Sequence, residues 1–172
     1  MGKVISDFDI GWPGAISRSV DDIVVSMKNA GSDAIGFGKP VFLSDDGSGV
    51  TAWNSSDPKT FERFVGFAVR SASKTPSTYP TGQDMRTRSG NQEGGWEPGQ
   101  VVEVLVRGSI AVRAVSGFDP GGKVYLRKYD GSIVPSAGSE GSTVLLENVR
   151  CKTPQHGTGG CAEMVVTTRN IQ

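Results

Sequence analysis

"PGQVVEVLVRGSIAVRA", Pro98 to Ala114, decides how the rest of the chain is read. Val102, Val104 and Val106 fall on one side of an extended backbone, with Glu103, Leu105 and Arg107 on the other. Past Gly108-Ser109 the alternation resumes, with Ile110, Val112 and Ala114 set against Ala111 and Arg113. A lone Gly is a poor two-residue hairpin loop, because such loops favour Asn-Gly or Asp-Gly. The stretch therefore reads as one long strand bent or bulged at Gly108, with a tight hairpin as the alternative.

Similar segments recur on both sides. Val41-Phe42-Leu43 and Val50-Thr51-Ala52 flank Ser44-Asp45-Asp46-Gly47-Ser48-Gly49, whose Asp and Gly supply turn chemistry, so a hairpin is expected. Residues 21 to 30 read as a short strand or as a short helical turn. Val65, Phe67 and Val69 alternate with Gly66, Ala68 and Arg70, the pattern of a half-buried strand whose small residues admit another backbone. Asp119-Pro120-Gly121-Gly122 is a turn, and Tyr129-Asp130-Gly131-Ser132 is the strongest short hairpin signal. Val144 to Val149 and Met164 to Thr168 supply the last strands. Strands at roughly ten-residue spacing, with no long amphipathic helix, predict an all-β barrel or sandwich.

Two regions break this pattern. Met1 to about Val20 scatters Phe8, Ile10, Trp12 and Ile16 among Gly and Pro, and period two in Phe8 to Trp12 stops at Pro13-Gly14. These 20 residues read as an extended N-terminal arm that lies either on its own domain or on a neighbouring subunit. Ser71 to Gly99 is polar and rich in Gly, Pro, Ser and Thr, and it reads as a long surface loop. Tyr79, Arg86, Arg88 and Trp96 are its candidate partner contacts. Residues 21 to 172 then form a single domain.

Composition narrows the function. Lys+Arg and Asp+Glu are both 18, so the net charge is zero and a primary nucleic-acid binder is not expected. Nor does the balance suggest binding to an anionic membrane. No run approaches the ~18 apolar residues of a membrane span. "MGKVISDFDIGWPG" lacks the basic and apolar regions of a secretory signal, so synthesis in a cytosol is expected.

The search for chemistry returns little. Cys151 and Cys161 bracket His156, but zinc would need a fourth ligand and the spacing matches no standard finger. The two cysteines read instead as flanking the tip of a terminal hairpin. There they either form a disulfide under oxidising conditions or remain free buried thiols. His156, the one histidine, sits on a Gly-rich tip that is poorly suited to orienting a base. Gly38-Lys39 is not a phosphate loop, since Asp33 and Pro40 occupy positions that need Gly and Ser or Thr. No metal, cofactor or catalytic residue is expected. Trp53, Tyr79 and Trp96 leave one alternative open, a carbohydrate- or protein-binding β-module of an extracellular or cell-surface assembly.

Laid side by side, "GKPVFLSDDG", "FVGFAV", "PGQVVEVLVRGSIAV" and "GKVYLRKYDGSIVPS" resemble the head-decoration, or capsid cement, proteins of tailed bacteriophages. The likeness covers about residues 23 to 136 and rests on the order of the segments. It implies a small β-barrel or β-tulip-like domain on the capsid exterior, cementing the head by bridging major capsid protein subunits. It further implies a homotrimer, no enzymatic activity, and an arm contacting the shell or a neighbour through Phe8, Ile10, Trp12 and Ile16.

Overall fold

The computed structural model describes residues 11–17, 21–55, 60–72, 94–115, 117–154 and 160–168. The decisive stretch is a single strand, β7 (Val101–Arg113), running unbroken through Gly108. The strands before it are β1 (Ile23–Lys28), β2 (Ile35–Gly36), β3 (Pro40–Leu43), β4 (Val50–Thr51), β5 (Phe64–Ala68) and β6 (Gly95–Trp96). After it come β8 (Lys123–Arg127), β9 (Ile133–Val134), β10 (Thr143–Cys151) and β11 (Cys161–Val166). A 3-10 turn spans Thr60–Arg63, and no α-helix occurs among the described residues.

Nine strands form one curled sheet in the order β4-β3-β5-β7-β11-β10-β8-β9, with β1 also paired to β7. A small second sheet joins β2 to β6. The protein is thus all-β, with the barrel-like curl expected of a small β-barrel domain. Residues 21 to 30 resolve as a strand, because the β-branched Ile23, Val24 and Val25 pack along β7 with Val25 opposite Val104 and Met27 opposite Val102. The expected hairpins form as well. Phe42 faces Thr51 across β3–β4, and Tyr125 faces Val134 across β8–β9.

β7 belongs to two structures at once. Its first half pairs with β1 and β5, and its second half with β11. Val102, Val104 and Val106 point into one core, with Ile35, Val41, Val50, Val65 and Trp96. Ile110 and Val112 point into another, with Phe42, Phe67, Phe118, Leu126 and Met164. In a regularly alternating strand all these even-numbered residues would share a face. The alternation slips between Val106 and Ile110, where the pairing with β1 shifts register opposite Leu105–Arg107 and Gly108 takes φ +120°, and the strand changes which core it serves.

The same division explains β5. The sequence suggests a half-buried strand, yet all of Phe64–Ala68 is buried. β5 lies between β3 and β7 with apolar side chains on both faces, Phe64 and Phe67 in one core and Val65 and Ala68 in the other. Gly66 allows this. A Cβ there would stand 2.1 Å from the Leu105 carbonyl oxygen, so any side chain would push β5 off β7.

The first core closes on itself, because Ala30 N–H donates to the Val50 carbonyl at 2.8 Å and ties the end of β1 to β4. The edges β4 and β9 of the main path do not pair with each other. Trp53 covers the seam instead. It packs on Phe42 at 5.5 Å between ring centroids, and its side chain stands against Gly131 in the β8–β9 turn.

The β3–β4 turn is held by Asp46, which accepts from the Ser48 backbone N–H at 3.0 Å, the Ser44 hydroxyl at 2.7 Å and the Ser48 hydroxyl at 2.8 Å. These donors, the Ser48 N–H foremost, lower its carboxyl from the ordinary 3.8 to about 2. A depressed carboxylate pKa stabilises the folded turn above the unfolded value and loses that contribution as pH falls through the folded one. The Ser48 amide resonance is therefore expected to hold steady down to about pH 3 and to titrate with a midpoint of about 2. An Asp46→Ala variant should lack that transition.

Candidate functional site

The described part of the arm begins with a tight turn. Ala15 N–H donates to the Trp12 carbonyl at 2.9 Å around Pro13-Gly14, and Gly14 adopts φ +80°. Pro then Gly at the two central positions is the type II signature. From there the chain runs along the edge of β7. Gly14 N–H donates to Ala111 O at 2.8 Å, Ala111 N–H to Ala15 O at 2.9 Å, and Ser17 N–H to Ser109 O at 3.0 Å. Arg70 N–H, just beyond β5, donates to Gly14 O at 2.8 Å. A Cβ on Gly14 would lie 2.9 Å from Ala68 O, Arg70 N and Gly38 N, so the approach requires glycine. Of the two readings for the arm, residues 14–17 take the first and lie on their own domain.

Backbone pairing anchors this segment while its large side chains stay outside. Trp12 is 48% exposed and Ile16 is 39% exposed. The Arg70 guanidinium stands 5.7 Å from the Trp12 ring centroid and 5.1 Å from that of Phe37. Arg70, itself stacked on Phe37, holds the indole at the surface through one cation–π contact. At the other end, the Ser17 hydroxyl donates to Glu163 Oε1 at 2.7 Å. Glu163 is fully buried in β11, and Lys152 Nζ lies 3.6 Å from the same oxygen. A buried carboxylate is costly unless it is paired and hydrogen-bonded, which makes Ser17 and Lys152 a fixed pair of clamps on it.

Sequence reasoning singled out Trp12 and Ile16 and missed Arg70, Ser17 and Glu163. One signal for Glu163 was visible, as the lone charge in the apolar run Cys161–Val166. Arg70 carried none, because its partners come from segments far apart in the chain. Phe8 and Ile10 lie outside the described residues, as do Tyr79, Arg86, Arg88 and His156.

Trp96 is not a loop contact. It is 5% exposed in the core, and its indole N–H donates to Val69 O at 3.1 Å. Burial with the N–H satisfied suits an indole better than exposure on a polar loop. Trp53 is half-buried against Phe42, so neither indole offers the open platform a sugar binder needs.

Both cysteines are free and buried. They do not face each other across the terminal hairpin, since Cys151 stands opposite Met164 and Cys161 opposite Arg113. The Cys151 thiol donates to Thr153 O at 3.0 Å, and burial pushes its pKa up. A thiol kept protonated is a weak nucleophile. What the geometry offers is a surface: a docked arm segment with apolar side chains on a rigid sheet edge.

A protein-family model described as structural cement protein (E217 gp24/Pam3 gp6) matches residues 3–167. A solved chain from the capsid of Myoviridae Phage XM1 shares the fold, with a TM-score of 0.66 at 16% identity. That alignment covers 95% of this chain and 94% of the other. No curated protein matches the sequence.

Proposed function

The chain belongs to the structural cement protein family of phages, and from that premise we propose that it binds the outside of the head and bridges neighbouring major capsid protein subunits. The match over residues 3–167 carries this reading, because it takes in the arm as well as the sheet. The role is structural, with no reaction to catalyse. The raised pKa of the Cys151 thiol agrees with that.

The arm supplies the contact. Phe8, Ile10, Trp12 and Ile16 form its apolar side chains, and the Gly14–Ser17 ladder fixes the last two at one edge of β7. Burying each such side chain against a shell contributes roughly 1.5–3 kcal/mol. A homotrimer would present three arms at once, and linked contacts gain through effective concentration. The protein is made in the host cytoplasm and ends on the virion exterior, without nucleic-acid or membrane partners.

The test is a double substitution, Trp12→Ser with Ile16→Ser. It leaves the backbone ladder intact and removes two exposed apolar groups. Saturable binding to undecorated heads is expected to weaken more than tenfold, while the thermal midpoint of the free protein stays close to wild type. Wild-type saturation by the variant would remove the arm from the contact surface.

A further inference from the structure

We propose that the buried carboxylate of Glu163 is the latch that holds residues 14–17 on the edge of β7, and so fixes where Trp12 and Ile16 sit. β7 lies between the arm and β11. On one side the Ala111 N–H donates to Ala15 O and its carbonyl accepts from Gly14 N–H, while on the other Ala111 stands opposite Glu163. The Glu163 side chain meets Ser17 across β7, where the Ser17 hydroxyl donates to Oε1 at 2.7 Å. The β7 residues paired there, Ser109 and Ala111, are small.

Glu163 is the fixed side of this contact. It lies within the nine-stranded sheet, on the strand between β7 and β10. Its N–H donates to Thr153 Oγ1 at 3.0 Å, and its carbonyl accepts from Lys152 N–H at 2.8 Å. Lys152 Nζ, 3.6 Å from Oε1, adds an opposite charge. The arm is the side that can leave. Its Trp12 and Ile16 side chains stand exposed, so its attachment leans on the backbone ladder and the Ser17 bond. A hydrogen bond to an ionised acceptor is about twice as strong as a neutral one.

Opening the strap is unfavourable on both sides. It takes a donor from a fully buried carboxylate. It also bares the Ala111 N–H and the Ser109 and Ala111 carbonyls at a strand edge, where another chain could pair. The Ser17 contact and the ladder therefore make and break together. The latch rests on the fold alone and does not depend on what the arm meets outside the domain.

Amide hydrogen exchange on the full chain tests it. The Gly14, Ser17 and Ala111 N–H groups report the strap, and those of Ala30 and Lys128, bonded to Val50 O and Ser142 O, serve as references. Ser17→Ala is expected to lower the strap protection factors about tenfold and to leave the references unchanged. Glu163→Met should lower them as far, measured against the references, and the double variant should go little further than either alone. Glu163→Gln, with an acceptor but no charge, should also exchange faster than wild type at the strap. Strap amides that keep wild-type protection in Ser17→Ala, or that lose it in step with the references, would overturn the proposal. So would effects of the two substitutions that multiply, or a Glu163→Gln variant as protected as wild type. Ser17 is half-buried, so if Glu163→Met fails to fold, Ser17→Ala and Glu163→Gln still decide the matter.

Discussion

Gly108→Val is expected to unfold the protein or to leave it insoluble. At φ +120° a side chain is strained wherever it points. Here it also has nowhere to go: a Cβ would stand 1.9 Å from Asp22 Oδ1 and 3.1 Å from Asp22 Cα. That oxygen accepts from Ser109 N–H at 3.3 Å, so Asp22 is part of what holds the bend. Straightening β7 to relieve the strain would turn Ile110 and Val112 towards the wrong core. The expected cost is about 3 kcal/mol or more, a large share of the ~5–15 kcal/mol that keeps a typical domain folded. Gly108→Ala is the milder variant for measurement by denaturant melts. Pairing it with Asp22→Ala should recover little, because the dihedral strain remains. A cost under about 1 kcal/mol for Gly108→Ala would show that the bend is tolerant and not decisive.

Phe42→Ala is expected to cost about 3–5 kcal/mol, at the high end for a core truncation. Phe42 is fully buried, with ring centroids 6.1 Å from Phe64 and 5.5 Å from Trp53. Phe64 continues the row to Phe67 at 5.3 Å. Removing Phe42 leaves a cavity and also frees Trp53, which covers the seam where β4 and β9 do not pair. Trp53 fluorescence should therefore shift to the red in the native variant. A large stability loss with unchanged Trp53 emission would separate the seam from the core.

Much of this fold can be read from single residues. The alternation in Val102 to Val106 and the Asp-Gly turns specify strands because extended backbone puts neighbours on opposite faces over short distances, whereas residues 21 to 30 stayed open between a strand and a helical turn until their pairing with β7 was seen. Gly108 marked the bend for the same local reason. β5 was harder. Phe64–Ala68 looks half-buried because alternation reports only that two faces differ, not that each meets its own core. Trp96 was misplaced on the loop because its segment is polar, while the partners that bury it come from elsewhere in the chain.

The candidate surface divides in the same way. Trp12 and Ile16 were legible as apolar residues in a stretch with little local structure. Their support was not, since Arg70 lies 58 residues beyond Trp12 and Glu163 lies 146 beyond Ser17. The sequence alone determined an all-β chain, its turns and its bend. All of these follow from interactions between residues a few positions apart. Only the tertiary structure decided that β7 divides two cores, that residues 14–17 lie along its edge, and that Cys151 faces Met164 and not Cys161. Those outcomes depend on which distant backbones come within hydrogen-bonding distance, and no local pattern records that.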